Sequence, residues 1–141
     1  MESKVPHSLV QALRQIPDFA VLDDRTLLSI VGESMNLFWK AGSYIFRVGD
    51  PGEALYVMLE GECTIFDGDP ATAQPVANPR QGDSFGELSL LLNTTHSKSA
   101  LAVSDCEILV LPKEAFTSML TNNPALAGHF DQVLKVRQVK V

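Results

Sequence analysis

Cysteine is scarce in this chain of 141 residues: Cys63 and Cys106 are the only two, with no CxxC pair and no Cys/His cluster. A chain this long builds a core without a disulfide framework, so both are expected as buried thiols in strands. Histidine is equally sparse. His7, His96 and His129 are far apart and form no HxH or HExxH spacing, which leaves no basis for a metal site. No apolar run approaches the ~18 residues of a membrane span, and the N-terminus has no apolar leader segment, so a cytoplasmic location is expected. Positive charge is the minority: eleven Lys and Arg stand against seventeen Asp and Glu, a net −6. Such a surface opposes non-specific nucleic-acid binding and docking on anionic lipid, both of which need basic residues to displace counterions. It does not exclude a small anion held in one local pocket. The serines Ser89, Ser97 and Ser99 lack a His/Asp constellation, so nothing supports nucleophilic catalysis, and the chain reads as a non-enzyme.

The residues that are present divide into three blocks. In "HSLVQALRQI" (7–16) the apolar residues recur at helical spacing, and Pro17 ends the run. "LDDRTLLSIVGESM" (22–35) predicts a second helix, with Asp23 or Asp24 as its cap. From Asn36 the period changes. "NLFWK", "SYIFRVGD", "ALYVML", "ECTIFDG", "QPVANP" and "EILVLP" are short β-rich runs separated by Gly, Pro and Asp turns. Residues 67–81 read as a loose hairpin tip. Trp39 and Tyr56 read as sheet residues and Glu53 as a turn residue. After Pro112, a first-turn proline, "KEAFTSMLTNN" (113–123) predicts a helix. Another follows from Pro124, capped by Asn123, with Leu126, Phe130, Val133 and Leu134 on one face. The expectation is one domain over 1–141: N-terminal helices to about residue 35, a β-roll over 36–112, and C-terminal helices over 113–141. The fold class is mainly β, an antiparallel sandwich or barrel with flanking helices.

One stretch carries chemistry. In "GDSFGELSLLLNTTHSKSA" (82–100), Gly86 lets backbone approach a ligand with no Cβ in the way. Residues 87–92 can form one or two helical turns whose free N–H groups suit an anion. Glu87 fits no bare anion, but it fits a ligand that also offers hydroxyl donors, as a ribose phosphate does.

"GDSFGELSLLL" resembles the phosphate-binding cassette of the cyclic nucleotide-binding domain family. "AGSYIFRVGDPGEALYVMLEGECTIF" (41–66) is similar to that family's first strands, and "AVSDCEILVLPKEAF" (102–116) to its last strand and the entry to its C-terminal helices. The resemblance runs over roughly residues 19–135. It implies a jelly-roll-like β-roll (a double-stranded β-helix) with the cassette helix inserted in it. It also implies a cyclic nucleotide ligand, cAMP or cGMP, with cAMP first, and no cofactor. Signalling would pass through the C-terminal helix to a homodimer partner or an effector domain. By the same resemblance Gly86 and Leu88 match backbone donors, flanked by Phe85 and Ser89. Glu87 matches the acceptor for the ribose 2′-hydroxyl, Ser97 the small polar residue at the phosphate, and Ser99 a position near the base in some members.

The sequence departs from the family at one position. The family's usual arginine, about nine residues after the glutamate, is here His96. Counting back from "SDCEILVL" also lands on His96, while a register two residues longer would put Lys98 there. Arginine offers a permanently charged fork to phosphate, whereas neutral imidazole offers one donor and no charge. The second reading is therefore a degenerate member that binds no nucleotide and serves as an interaction or dimerisation module. The sensor reading requires Glu87 to face inward and the cavity beside it not to be plugged by the protein's own side chains. It also gives the nucleotide an affinity that rises as pH falls through about 6.5, where an unperturbed imidazole protonates.

Overall fold

The computed structural model describes residues 6–16 and 19–139. Pro17, expected to stop the first helix, lies outside the described residues. The first helix, α1, spans Pro6–Arg14, and α2 spans Asp24–Glu33. The cap of α2 is Asp23, whose carboxylate accepts from Thr26 N–H at 2.8 Å. Thr26 holds the Asp23 carboxyl below its usual range, through its side chain first and this backbone N–H second.

Eight strands follow: β1 (Met35–Trp39), β2 (Tyr44–Phe46), β3 (Ala54–Glu60), β4 (Cys63–Phe66), β5 (Pro75–Ala77), β6 (Ser84–Phe85), β7 (Ser99–Ala102) and β8 (Cys106–Pro112). They form two four-stranded sheets in the orders β1-β8-β3-β6 and β2-β7-β4-β5, and every pairing is antiparallel. Between β6 and β7 the chain makes a short helix, α3 (Glu87–Leu91). After the roll come α4 (Lys113–Asn122) and α5 (Pro124–Val139). This is the jelly-roll type of β-roll with flanking helices.

Two details depart from the sequence reading. Pro112 is the N-cap of α4, with extended backbone (φ −61°, ψ 153°), rather than a first-turn residue. Its fixed φ serves either place, and its carbonyl direction decides between them. The Asn123 side chain closes α4 by donating to Met119 O at 2.8 Å, and only its backbone carbonyl opens α5.

Two apolar cores share β3 and β8. Alternation sends Leu109 and Leu111 of β8, with Leu55, Val57 and Leu59 of β3, outward against the helices. There they meet Leu13 of α1, Leu27 and Ile30 of α2, Phe116 and Met119 of α4, and Leu126 and Phe130 of α5. The opposite faces, with Cys106, Ile108 and Val110 of β8 and Met58 of β3, fill the roll together with Ile45, Phe46, Cys63, Ile65 and Phe85. Both cysteines are free and buried. Burial, with Cys106 nearby, pushes the Cys63 thiol up to about 12.

Candidate functional site

The cassette forms because a strand is broken by a residue that only glycine occupies cheaply. β6 ends at Phe85, and Gly86 follows with φ +88°. A Cβ at Gly86 would lie 2.8 Å from the Tyr56 ring. The glycine thus serves both the left-handed turn and the close packing against β3. The turn swings Glu87 inward at the head of α3, where it is 2% exposed. With five residues, α3 is too short to sum much macrodipole, so any anion attraction rests on its amides alone.

One turn later Leu90 is buried in the helix-facing core. Through Leu90 the small helix joins the helix-facing core, the cluster that also holds residues of α1, α2, α4 and α5.

The loop leaving α3 is tied to the β2–β3 connection by backbone pairs. His96 N–H donates to Asp50 O and Gly49 N–H to His96 O, each at 2.8 Å, and Thr94 N–H donates to Ser89 O at 3.0 Å. These bonds turn His96 inward, 5% exposed, with its ring stacked on Phe46 at 3.7 Å between centroids and 7° between planes. Its Nδ1 lies 3.1 Å from Ser89 Oγ, and its Nε2 is buried with no hydrogen-bond partner. Burial lowers its pKa from the usual histidine value, and the Asp50 carboxylate only partly opposes this. Phe46 also packs near Tyr56 and Phe85, which stack on each other at 5.4 Å. Burial is the first cause raising the Tyr56 phenol.

The structure thus brings Phe85, Gly86, Glu87, Ser89 and His96 together around one turn. Ser97, Lys98 and Ser99 of the expected set are turned to other surroundings. Ser97 is exposed. Lys98 faces Asp67 at 3.7 Å. Ser99 is buried, but its Oγ accepts from Val48 N–H at 2.9 Å and so serves to hold the loop. Leu88 lies within α3. Of the two possible registers, the residue that turns inward is His96.

Sequence reasoning missed Phe46, Asp50 and Gly52. Gly52 is where the turn "GDPG" touches the cassette: a Cβ there would lie 2.5 Å from Ser89 Cβ. A glycine in a turn signals its φ and never its neighbour across the fold, so no local pattern could have found this contact. A cleft of about 890 Å³ opens behind the same loop, lined by Gly52, Glu53, Tyr56, Thr95 and Lys113 among others. Lys113 at the start of α4 bonds Asn93 Oδ1 there.

The family's sequence model, described as Cyclic nucleotide-binding domain, matches residues 37–123. The chain belongs to that family. The cAMP-dependent protein kinase regulatory subunit of Emericella nidulans is 30% identical over 108 residues, 77% of this chain and 26% of its own length. The chain spans about a quarter or less of the curated relatives it matches. Among solved structures, the Thermus thermophilus catabolite activator protein superposes with a TM-score of 0.78 at 29% identity, covering 88% of this chain and 59% of that one. A cAMP-bound triple mutant of the regulatory subunit of a cAMP-independent protein kinase A from Trypanosoma brucei gives 0.80 at 25% identity, covering 96% and 51%. This chain is thus a cyclic nucleotide-binding domain of the regulatory type found in those proteins. Among the described residues no helix is long and apolar enough to cross a membrane.

Proposed function

We propose that residues 1–141 act as one non-catalytic sensor unit that seats a cyclic nucleotide, cAMP first and cGMP second, on the Gly86–Ser89 turn. The observation that carries this reading is Glu87, a carboxylate buried directly after a positive-φ glycine. Its carboxylate oxygens are acceptors placed beside the turn, the complement of a ribose 2′-hydroxyl donor. In this reading the amides of Gly86 and Leu88 turn to the phosphate. Leu90 carries the response outward: a shift of α3 disturbs the core cluster that Leu90 shares with Phe116, Leu126 and Phe130, so ligand binding favours one packing of α4 and α5 over another. The receiver is an effector domain or a second copy reached through α5. A cytoplasmic setting suits such a module.

A second reading, an interaction module without nucleotide, is favoured by the Phe46–His96 stack, which sets neutral aromatic rings where the family carries arginine. The Trypanosoma neighbour bears on this, since its cAMP-bound form carries three substitutions, one of which introduces an arginine. A melting scan with each cyclic nucleotide separates the two readings. Ligand at about 100 times its dissociation constant adds about 2.7 kcal/mol, a rise of several degrees. No shift with either nucleotide at millimolar concentration, at pH 7.8 and again at 5.8, assigns the chain to the second reading.

A further inference from the structure

The hydrogens around His96 decide what the seat accepts. Ser89 Oγ lies 3.1 Å from Gly86 O and 3.1 Å from His96 Nδ1. The hydroxyl has one hydrogen, and a carbonyl can only accept. With that hydrogen given to Gly86 O, Ser89 Oγ accepts from Nδ1–H and both contacts are satisfied. With it given to Nδ1 instead, the Gly86 contact is lost and the ring proton moves to Nε2. That atom is buried and has no partner. A bare buried N–H is rarer in proteins than a bare buried acceptor. The neutral ring therefore carries its hydrogen on Nδ1 and holds a lone pair at Nε2. Stacking on Phe46 and the backbone bonds to Asp50 and Gly49 hold it in that attitude.

We infer that His96 sets the chemical class of the ligand: neutral, its Nε2 accepts from a hydroxyl of an uncharged, nucleoside-like ligand; protonated, it donates to a cyclic phosphodiester. The inference rests on the cassette reading proposed above. A phosphodiester offers only acceptors, so against neutral His96 it meets lone pair with lone pair and no countercharge. A ribose with free hydroxyls at the same point has the hydrogen that Nε2 lacks. Glu87, the other ionisable side chain buried in the turn, is also an acceptor when ionised, which suits a polyol again.

The charged groups packed around the ring do not change this assignment. Asp50, on the β2–β3 connection, favours the imidazolium. Glu87 and the uncharged Ser89 lie on α3, and Phe46 and Tyr56 contribute aromatic faces from β2 and β3. Two cations close in sequence to the stacked pair are turned elsewhere, Lys98 toward Asp67 and Arg47 over the Tyr44 ring. Burial outweighs Asp50, so the hydroxyl-accepting form prevails at neutral pH.

Calorimetric titration of the full chain with adenosine and with cAMP, at pH 7.8 and 5.8, tests this, with the fold checked by circular dichroism at both. The expected result is tighter binding of adenosine than of cAMP at pH 7.8. The ratio should move toward cAMP by up to about tenfold per pH unit, as one proton taken up with the ligand requires. His96→Gln should bind both ligands with no pH dependence in their ratio, and His96→Arg should bind cAMP tightly at both pH values. A wild-type ratio that stays constant, or favours cAMP at pH 7.8, overturns the inference. If that happens while His96→Arg binds cAMP, the cassette reading stands alone. If folded wild type and both variants bind neither ligand, both fall.

Discussion

Gly52 offers a direct way to disturb the cassette without touching a residue assigned to the ligand. It is buried, and its φ lies outside the left-handed region, so an alanine there suffers from space alone. The added Cβ would lie 2.5 Å from Ser89 Cβ, 2.6 Å from Ser89 Oγ and 2.7 Å from Thr94 O. None of the three neighbours yields cheaply. Ser89 is tied to Gly86 O and His96, and Thr94 is tied back to Ser89 O. Overpacking of this kind costs about 1–3 kcal/mol, and each hydrogen bond broken in relief about 1 more. Gly52→Ala should therefore lose about 3 kcal/mol, a fall in melting temperature of roughly 10 °C for a chain of this length. A control separates space from backbone strain. Gly42 has φ +87° but nothing within 4 Å of its Cβ position, so Gly42→Ala should lose only the left-handed penalty of about 1–2 kcal/mol. Adding Ser89→Gly to Gly52→Ala removes two of the three collisions and should recover part of the loss. Differential scanning calorimetry on the four proteins is the assay. A melting point for Gly52→Ala within about 1 °C of wild type would refute the packing of this turn against the cassette.

Two further outcomes follow from the same geometry. Burial holds His96 neutral in the folded chain, so its folded pKa lies below the unfolded value of about 6.5. Between those values the unfolded chain binds more protons. Stability thus falls as pH drops below about 6.5, and the slope should be shallower in His96→Gln. Urea unfolding at pH 7.5, 6.0 and 5.5 reads this, and equal slopes would remove His96 as the cause. Phe130 is fully buried, edge-on to Phe116 at 5.2 Å and to Phe19 at 6.5 Å. Phe130→Ala should lose about 3–5 kcal/mol by urea midpoint, and a loss under about 1 kcal/mol would show that α5 does not rest on the core.

The elements that announced themselves in the sequence are those whose signal is local. Asp23 lies three residues before its partner Thr26, and the cap was readable. The runs at β3 and β8 carry enough Val, Leu and Ile to be seen as strands, although burial on both faces hides their alternation. β6 has two residues, and neither periodicity nor composition can mark so short a strand. His96 was found by counting from both sides, because Gly86-Glu87 and the β8 run fix the spacing between them. What that residue does there was not readable. Its ring plane is set by Phe46, fifty residues earlier, and its proton by Ser89. Ser99 shows the same limit: its place in the chain suggested a ligand, and a backbone N–H across the fold uses its hydroxyl instead.

β3 and β8 divide two apolar compartments, and each contributes side chains to both. Such a party wall ties the fates of its two rooms together: neither compartment can melt while the other stays dry. The amides of these two strands should be the last to exchange with deuterated solvent, opening at a single rate equal to global unfolding. The flexibility that the proposed sensor needs then lies outside the wall, in the short pieces hung on either side of it.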